Sequence, residues 1–149
     1  MSDNIFLQEK SMRSLLPGWG ERIKFGRMRS NELVVLVHGW LSGAVHMSTI
    51  GAQLRATPYG YSTFALDLSL TIGSLEGAMA EAEGQLKGVN FGKDFAAVHF
   101  VAHSMGGLIA KIILNRWDFP NARSLVCLGT PWTGSPVLQK AQEYSSMVV

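Results

Sequence analysis

The stretch VAHSMGG, from Val101 to Gly107, sets a serine among residues small enough to permit an unusual backbone. A serine nucleophile works best at the tip of a sharp turn between a strand and a helix, where its hydroxyl stands clear of the chain. That turn is strained, so the residues two before and two after must be small. Ala102 and Gly106 meet the requirement around Ser104, giving A-x-S-x-G where the usual form is G-x-S-x-G. Gly107 adds room for the helix to pack against the strands. The helix N-terminus behind the serine favours negative charge as it develops. The chemistry that fits is acyl transfer: the Ser104 oxygen attacks a carbonyl carbon, and the carbonyl oxygen becomes an oxyanion.

An oxyanion of this kind is held by two backbone N–H donors. One is expected from Met105, the residue after the nucleophile. The other comes from a loop after an earlier strand, where a glycine lets the backbone approach closely. LVVLVHGW, from Leu33 to Trp40, offers such a loop at His38-Gly39-Trp40. Trp40 is the expected second donor, with Leu41 in reserve. The serine also needs a base, normally a histidine further along the chain. None of the four histidines follows Ser104.

The elements that must position these residues alternate along the chain. LLPGWG reads as a turn, and RIKFGRM alternates from Arg22 as a half-exposed strand. Leu33 to Val37 is apolar throughout, as in a strand buried on both faces. Ala44 to Ala56 predicts a helix with Val45, Ile50 and Leu54 on one side, and Ser62 to Leu68 a further strand. Ser74 is placed to cap a helix from Leu75 to about Lys87, with Glu76 favoured in its first turn. Gly77 and Gly84 weaken that helix, so packing must hold it. Ala96 to Ala102 is the next strand, Gly106 to Trp117 the helix after the serine, and Ser124 to Leu128 the last strand. GTPWTGSP follows as a loop, and VLQKAQEYSSM as a final helix. The alternation predicts one α/β domain over residues 1–149, a mostly parallel sheet with helices on both faces.

Read together, VLVHGW, VAHSMGG and LVCLGTPWTGSP resemble the α/β-hydrolase family, in its lipase and esterase branch. The resemblance covers about Leu33 to Pro136. It implies a serine hydrolase that acts on carboxylic esters, lipids among them, through an acyl-enzyme on Ser104 and without a cofactor. It further implies that His38 braces the oxyanion turn. The GTP…GS loop would shape the acyl pocket, with Trp132 either lining it or packing beneath it.

The departure from the family concerns the rest of the triad. There the acid and the histidine follow two further strands, whereas here the only carboxylates after Ser104 are Asp118 and Glu143. His99 falls within a strand as a hydrogen-bonded core residue. His103 adjoins the serine, where the elbow turns its side chain away. His46 alone sits in a loop able to overhang the site. Asp67 ends a strand on the catalytic edge but has no histidine to orient. Three readings stay open: the N-terminal part of a longer hydrolase, a natural remnant serving as a non-catalytic binding or interaction module, or a site completed by a second chain. Each implies little or no turnover by this chain alone.

Composition narrows the field further. The chain has 149 residues, 47 % hydrophobic and 16 % charged, with a formal net charge of +2. That charge is too small to suggest nucleic acid, and Lys10, Arg13, Arg22, Lys24, Arg27 and Arg29 are spread among apolar residues as a solvated face. The single cysteine, Cys127, is expected to be a small buried hydrophobe. No run approaches the ~20 apolar residues of a membrane span, and the N-terminus lacks a signal-peptide core, so a cytoplasmic location is expected. No metal is implied by the histidine spacing, and HSMGG lacks the dinucleotide pattern G-x-G-x-x-G. SLVCL, free of charge and proline, would leave an open sheet edge through which the chain could self-associate.

Overall fold

Alternating side chains make the first strand, β1 (Glu32–Val37), the centre of two cores. Leu33, Val35 and Val37 point to one face and Val34 and Leu36 to the other, none more than 2 % exposed. A computed structural model of the protein describes residues 31–56, 58, 60–69, 74–134 and 136. Within them β2 (Ser62–Leu66), β3 (Ala97–His103) and β4 (Ala122–Leu128) join β1 in a four-stranded sheet of order β2-β1-β3-β4. Every pairing is parallel. The fold is therefore α/β, as the alternation of elements requires.

Helices cover both faces. α2 (Leu75–Gly88) and α3 (Gly106–Arg116) bury Ala78, Met79, Ala82, Leu86, Ile109 and Ile113 against Leu33, Val35, Val37, Phe64 and Phe100. On the other face α1 (Ser48–Ala56) sets Ile50 and Leu54 beside Val34, Leu36 and Met47. Each buried Val, Leu, Ile, Phe or Met among them contributes about 1.5–3 kcal/mol against the entropy of ordering it. The Ser74 cap is present, its hydroxyl accepting from the Gly77 N–H at 3.0 Å.

Several local expectations need correction. The segment at Ala44 opens as one 3-10 turn, Ala44–Met47, before α1 begins at Ser48. Three residues per turn shift the phase, so Met47 is buried and Val45 is 71 % exposed, off the side that Ile50 and Leu54 share. β3 runs one residue past Ala102 to His103, and β4 starts two residues before Ser124 because Ala122 already pairs with Val98. Cys127 is only half-buried, since β4 pairs with β3 alone among the described residues, and Val126 and Leu128 are exposed. The strand expected from Arg22 and the helix expected after Pro136 lie outside the described residues. Among those described, no helix is long and apolar enough to cross a membrane.

Candidate active site

Ser104 follows the last residue of β3 and precedes α3 by one residue. Its φ is +53°, in the left-handed region that costs an L residue about 1–2 kcal/mol. The surroundings hold it there. The Ser104 N–H donates to the Leu128 carbonyl at 2.8 Å, prolonging the β3–β4 ladder, while its own carbonyl accepts from the Gly107 N–H at 3.1 Å as α3 starts. One residue is thus shared between the end of a strand and the beginning of a helix.

The glycines are required by close approach. A Cβ on Gly39 would lie 2.8 Å from Ser104 Cβ and 3.0 Å from the His103 carbonyl oxygen. The loop after β1 therefore lies directly on the serine turn. A Cβ on Gly106 would meet the carbonyl oxygens of Val37 and His38 at 2.5 and 2.4 Å, and one on Gly107 would strike the Thr130 side chain. So β1, the serine turn and the loop after β4 converge, and only glycine fits between them.

Trp40 and Met105 lie on the two loops that meet here, each half-buried against the main core. Among the described residues neither backbone N–H donates a hydrogen bond. Leu41, the reserve donor, has a φ of +55° and an exposed side chain.

His38 is fully buried and has both ring nitrogens occupied. Its Nε2 accepts from the Leu68 N–H at 2.9 Å, which leaves the proton on Nδ1, 2.8 Å from the Gly39 carbonyl oxygen. It ties the loop after β1 to the residues after β2. His46 is exposed, its Nδ1 accepting from the Gly43 N–H at 3.1 Å. His99 is hydrogen-bonded as expected but stands half-exposed on the sheet instead of in the core, its ring between Ser124 and Glu32. Among the described residues the Ser104 hydroxyl makes no hydrogen bond to any histidine.

Asp67 has a structural task that the sequence reading did not assign. Its carboxylate accepts from the Ala44 N–H at 3.3 Å, and its backbone N–H and carbonyl pair with the side-chain amide of Gln85 at 2.9 and 2.8 Å. Gln85 is buried on α2, so this strut fixes the end of β2 and, through Asp67, the far end of the loop after β1. A signal was available: Gln85 is a polar residue on the apolar stripe of Ala78, Ala82 and Leu86. Trp132 does not pack beneath the loop. It is 52 % exposed, with the Lys111 ammonium 5.5 Å from its ring centroid.

No protein-family model matches the chain, and no curated protein matches it. Among solved structures it is similar to a lipase-esterase related protein from Clostridium acetobutylicum, at 21 % identity and a TM-score of 0.49. That match covers 71 % of this chain and 44 % of the other. It is also similar to a candidate hydrolase from Bacillus subtilis, at 20 % identity and a TM-score of 0.47, covering 84 % of this chain and 50 % of that one. The chain thus spans about half the length, or less, of these two solved structures, and at these identities the likeness is one of fold alone.

Proposed function

We propose that Ser104 is the nucleophile of a serine hydrolase of lipase or esterase type, acting on carboxylic esters. One observation carries the reading: a serine at φ +53° at the tip of β3, with the glycine of a second loop packed onto its Cβ. A left-handed non-glycine residue between strand and helix is rarely kept without a use. The N–H groups of Trp40 and Met105, which make no other hydrogen bond among the described residues, receive the carbonyl oxygen as it takes charge.

The steps follow from these roles. Ser104 Oγ attacks the ester carbonyl, its proton passes to a base, and the two N–H groups hold the oxyanion. Collapse expels the alcohol, protonated by the same base, and leaves an acyl-serine that water then cleaves. His38 and His99 have both nitrogens engaged elsewhere, and among the described residues neither His46 nor His103 is hydrogen-bonded to the Ser104 hydroxyl, so in this reading the base is supplied from elsewhere. An oxyanion site without its base still gives roughly 10³–10⁴-fold acceleration over water in enzymes of this chemistry.

A short alkylboronic acid tests the pair of roles together. Boron accepts the serine oxygen, becomes tetrahedral and negatively charged, and places an oxygen on the oxyanion donors. A tetrahedral boron resonance is expected with the parent protein and not with Ser104→Ala. No such resonance, or one that survives the substitution, would remove the proposal's basis.

A further inference from the structure

A second serine in this chain has what Ser104 lacks. On the α1 side of the sheet, at the opposite end of β3, His99 Nδ1 lies 2.8 Å from Ser124 Oγ and its Nε2 lies 3.2 Å from Glu32 Oε2. The three residues come from the adjacent strands β4, β3 and β1. A carboxylate only accepts, so Nε2 carries the proton and donates to Glu32. In the neutral ring that leaves a lone pair on Nδ1, and the Ser124 hydroxyl must donate to it. This is the protonation pattern of a general base facing a hydroxyl, with a carboxylate fixing the tautomer.

The placement depends on an irregularity in the sheet. Val98 pairs with Ala122 but His99 pairs with Ser124, so Arg123 is an extra residue bulged out of β4. Without the bulge the pairing would set Arg123 opposite His99, and Ser124 would turn to the other face. The ring is held further by Tyr61, edge-on at 6.0 Å. Ser124 itself is exposed. Two residues along β4 on the same face, Val126 is 48 % exposed and pairs with the half-buried Val101. Ser104 is five residues along β3 from His99, about 17 Å at the rise of a strand, so the two serines are separate.

The geometry points to Ser124 as a base-activated acyl acceptor, taking small apolar acyl groups from activated esters. Ser124 Oγ forms a bond to the carbonyl carbon while its proton passes to His99 Nδ1. The bond from that carbon to the leaving oxygen breaks, the aryloxide departs, and the proton on His99 is released to it or to water. The products are acyl-Ser124 and the phenol. The acyl group rests against Val126 and Val101. The acyl-serine is an alkyl ester, far less activated than the aryl ester that forms it, so it accumulates.

Treatment of the folded protein with 4-nitrophenyl acetate, followed by peptide mass mapping, tests this. Acetyl-Ser124 is expected to form at least tenfold faster than acetylation of exposed Ser48. General-base assistance is worth roughly 10²–10⁴-fold, so His99→Gln is expected to slow labelling of Ser124 by about 100-fold. Glu32→Gln, a conservative change at a partly exposed position, is expected to slow it several-fold with an unchanged unfolding midpoint, which keeps the test decisive should His99→Gln fail to fold. Ser104→Ala is expected to label at Ser124 as the parent does, which separates this site from the one at Ser104. Acetylation confined to amines, or labelling of Ser124 at the parental rate in a folded His99→Gln or in Glu32→Gln, overturns the assignment.

Discussion

Ser104 is held at φ +53° by bonds on both of its sides, and this backbone is a store of strain. Glycine adopts that conformation freely, whereas alanine suffers the same Cβ crowding as serine. Ser104→Gly is therefore expected to exceed Ser104→Ala in stability by about 1 kcal/mol, despite glycine's greater entropy when unfolded. Urea unfolding of the two variants measures it, and equal midpoints would mean the turn is unstrained. At this scale the sequence was readable because close approach leaves few choices: Ala102, Gly106 and Gly107 betrayed the turn, and Gly39 the loop that meets it. The partners of Gln85 and Ser124 were hidden for the opposite reason, although Gln85 itself stood out as polar on an apolar stripe. Each depends on a partner far along the chain, Asp67 for one and His99 for the other, and no local pattern links them.

At the scale of elements, α2 is the helix whose own sequence supports it least. Gly77, Gly84 and Gly88 lower its propensity, and its apolar face must hold it against the sheet. Gly84 is exposed, and a Cβ there would meet nothing within 4 Å. Gly84→Ala is expected to stabilise the protein by about 0.5–1 kcal/mol. Ser74→Ala removes the acceptor for the Gly77 N–H and is expected to cost about 1 kcal/mol. Thermal unfolding reads both, and a neutral result for the pair would show that propensity and capping do not limit α2. Because this helix carries Gln85, its stability also bears on the loop after β1. Strands and helices were legible from apolar runs and period. What escaped was phase and register: the 3-10 turn that exposes Val45, and the bulge at Arg123 that decides which face Ser124 occupies.

Across the whole molecule, the parallel sheet brings the ends of β1, β3 and β4 to one edge, where the loop bearing Gly39, Ser104 and the loop bearing Thr130 meet. Sheet order and strand direction do this without any contact between neighbours in sequence, which is why an α/β reading of the chain already brought these loops to one edge. The same topology leaves Ser104 without a histidine bonded to it among the described residues. On the proposed function, Ser104 and the two N–H groups act together with a base supplied from elsewhere. Added imidazole can supply the base. The most direct measurement is steady-state hydrolysis of 4-nitrophenyl butyrate by the parent and by Ser104→Ala, across a range of imidazole concentrations, with the protein-free rate subtracted. The expected result is very slow turnover without imidazole and a rate that rises with imidazole in the parent alone. Equal rates in the two proteins at every concentration would contradict the role of Ser104, and fast Ser104-dependent turnover without imidazole would contradict the absence of a base.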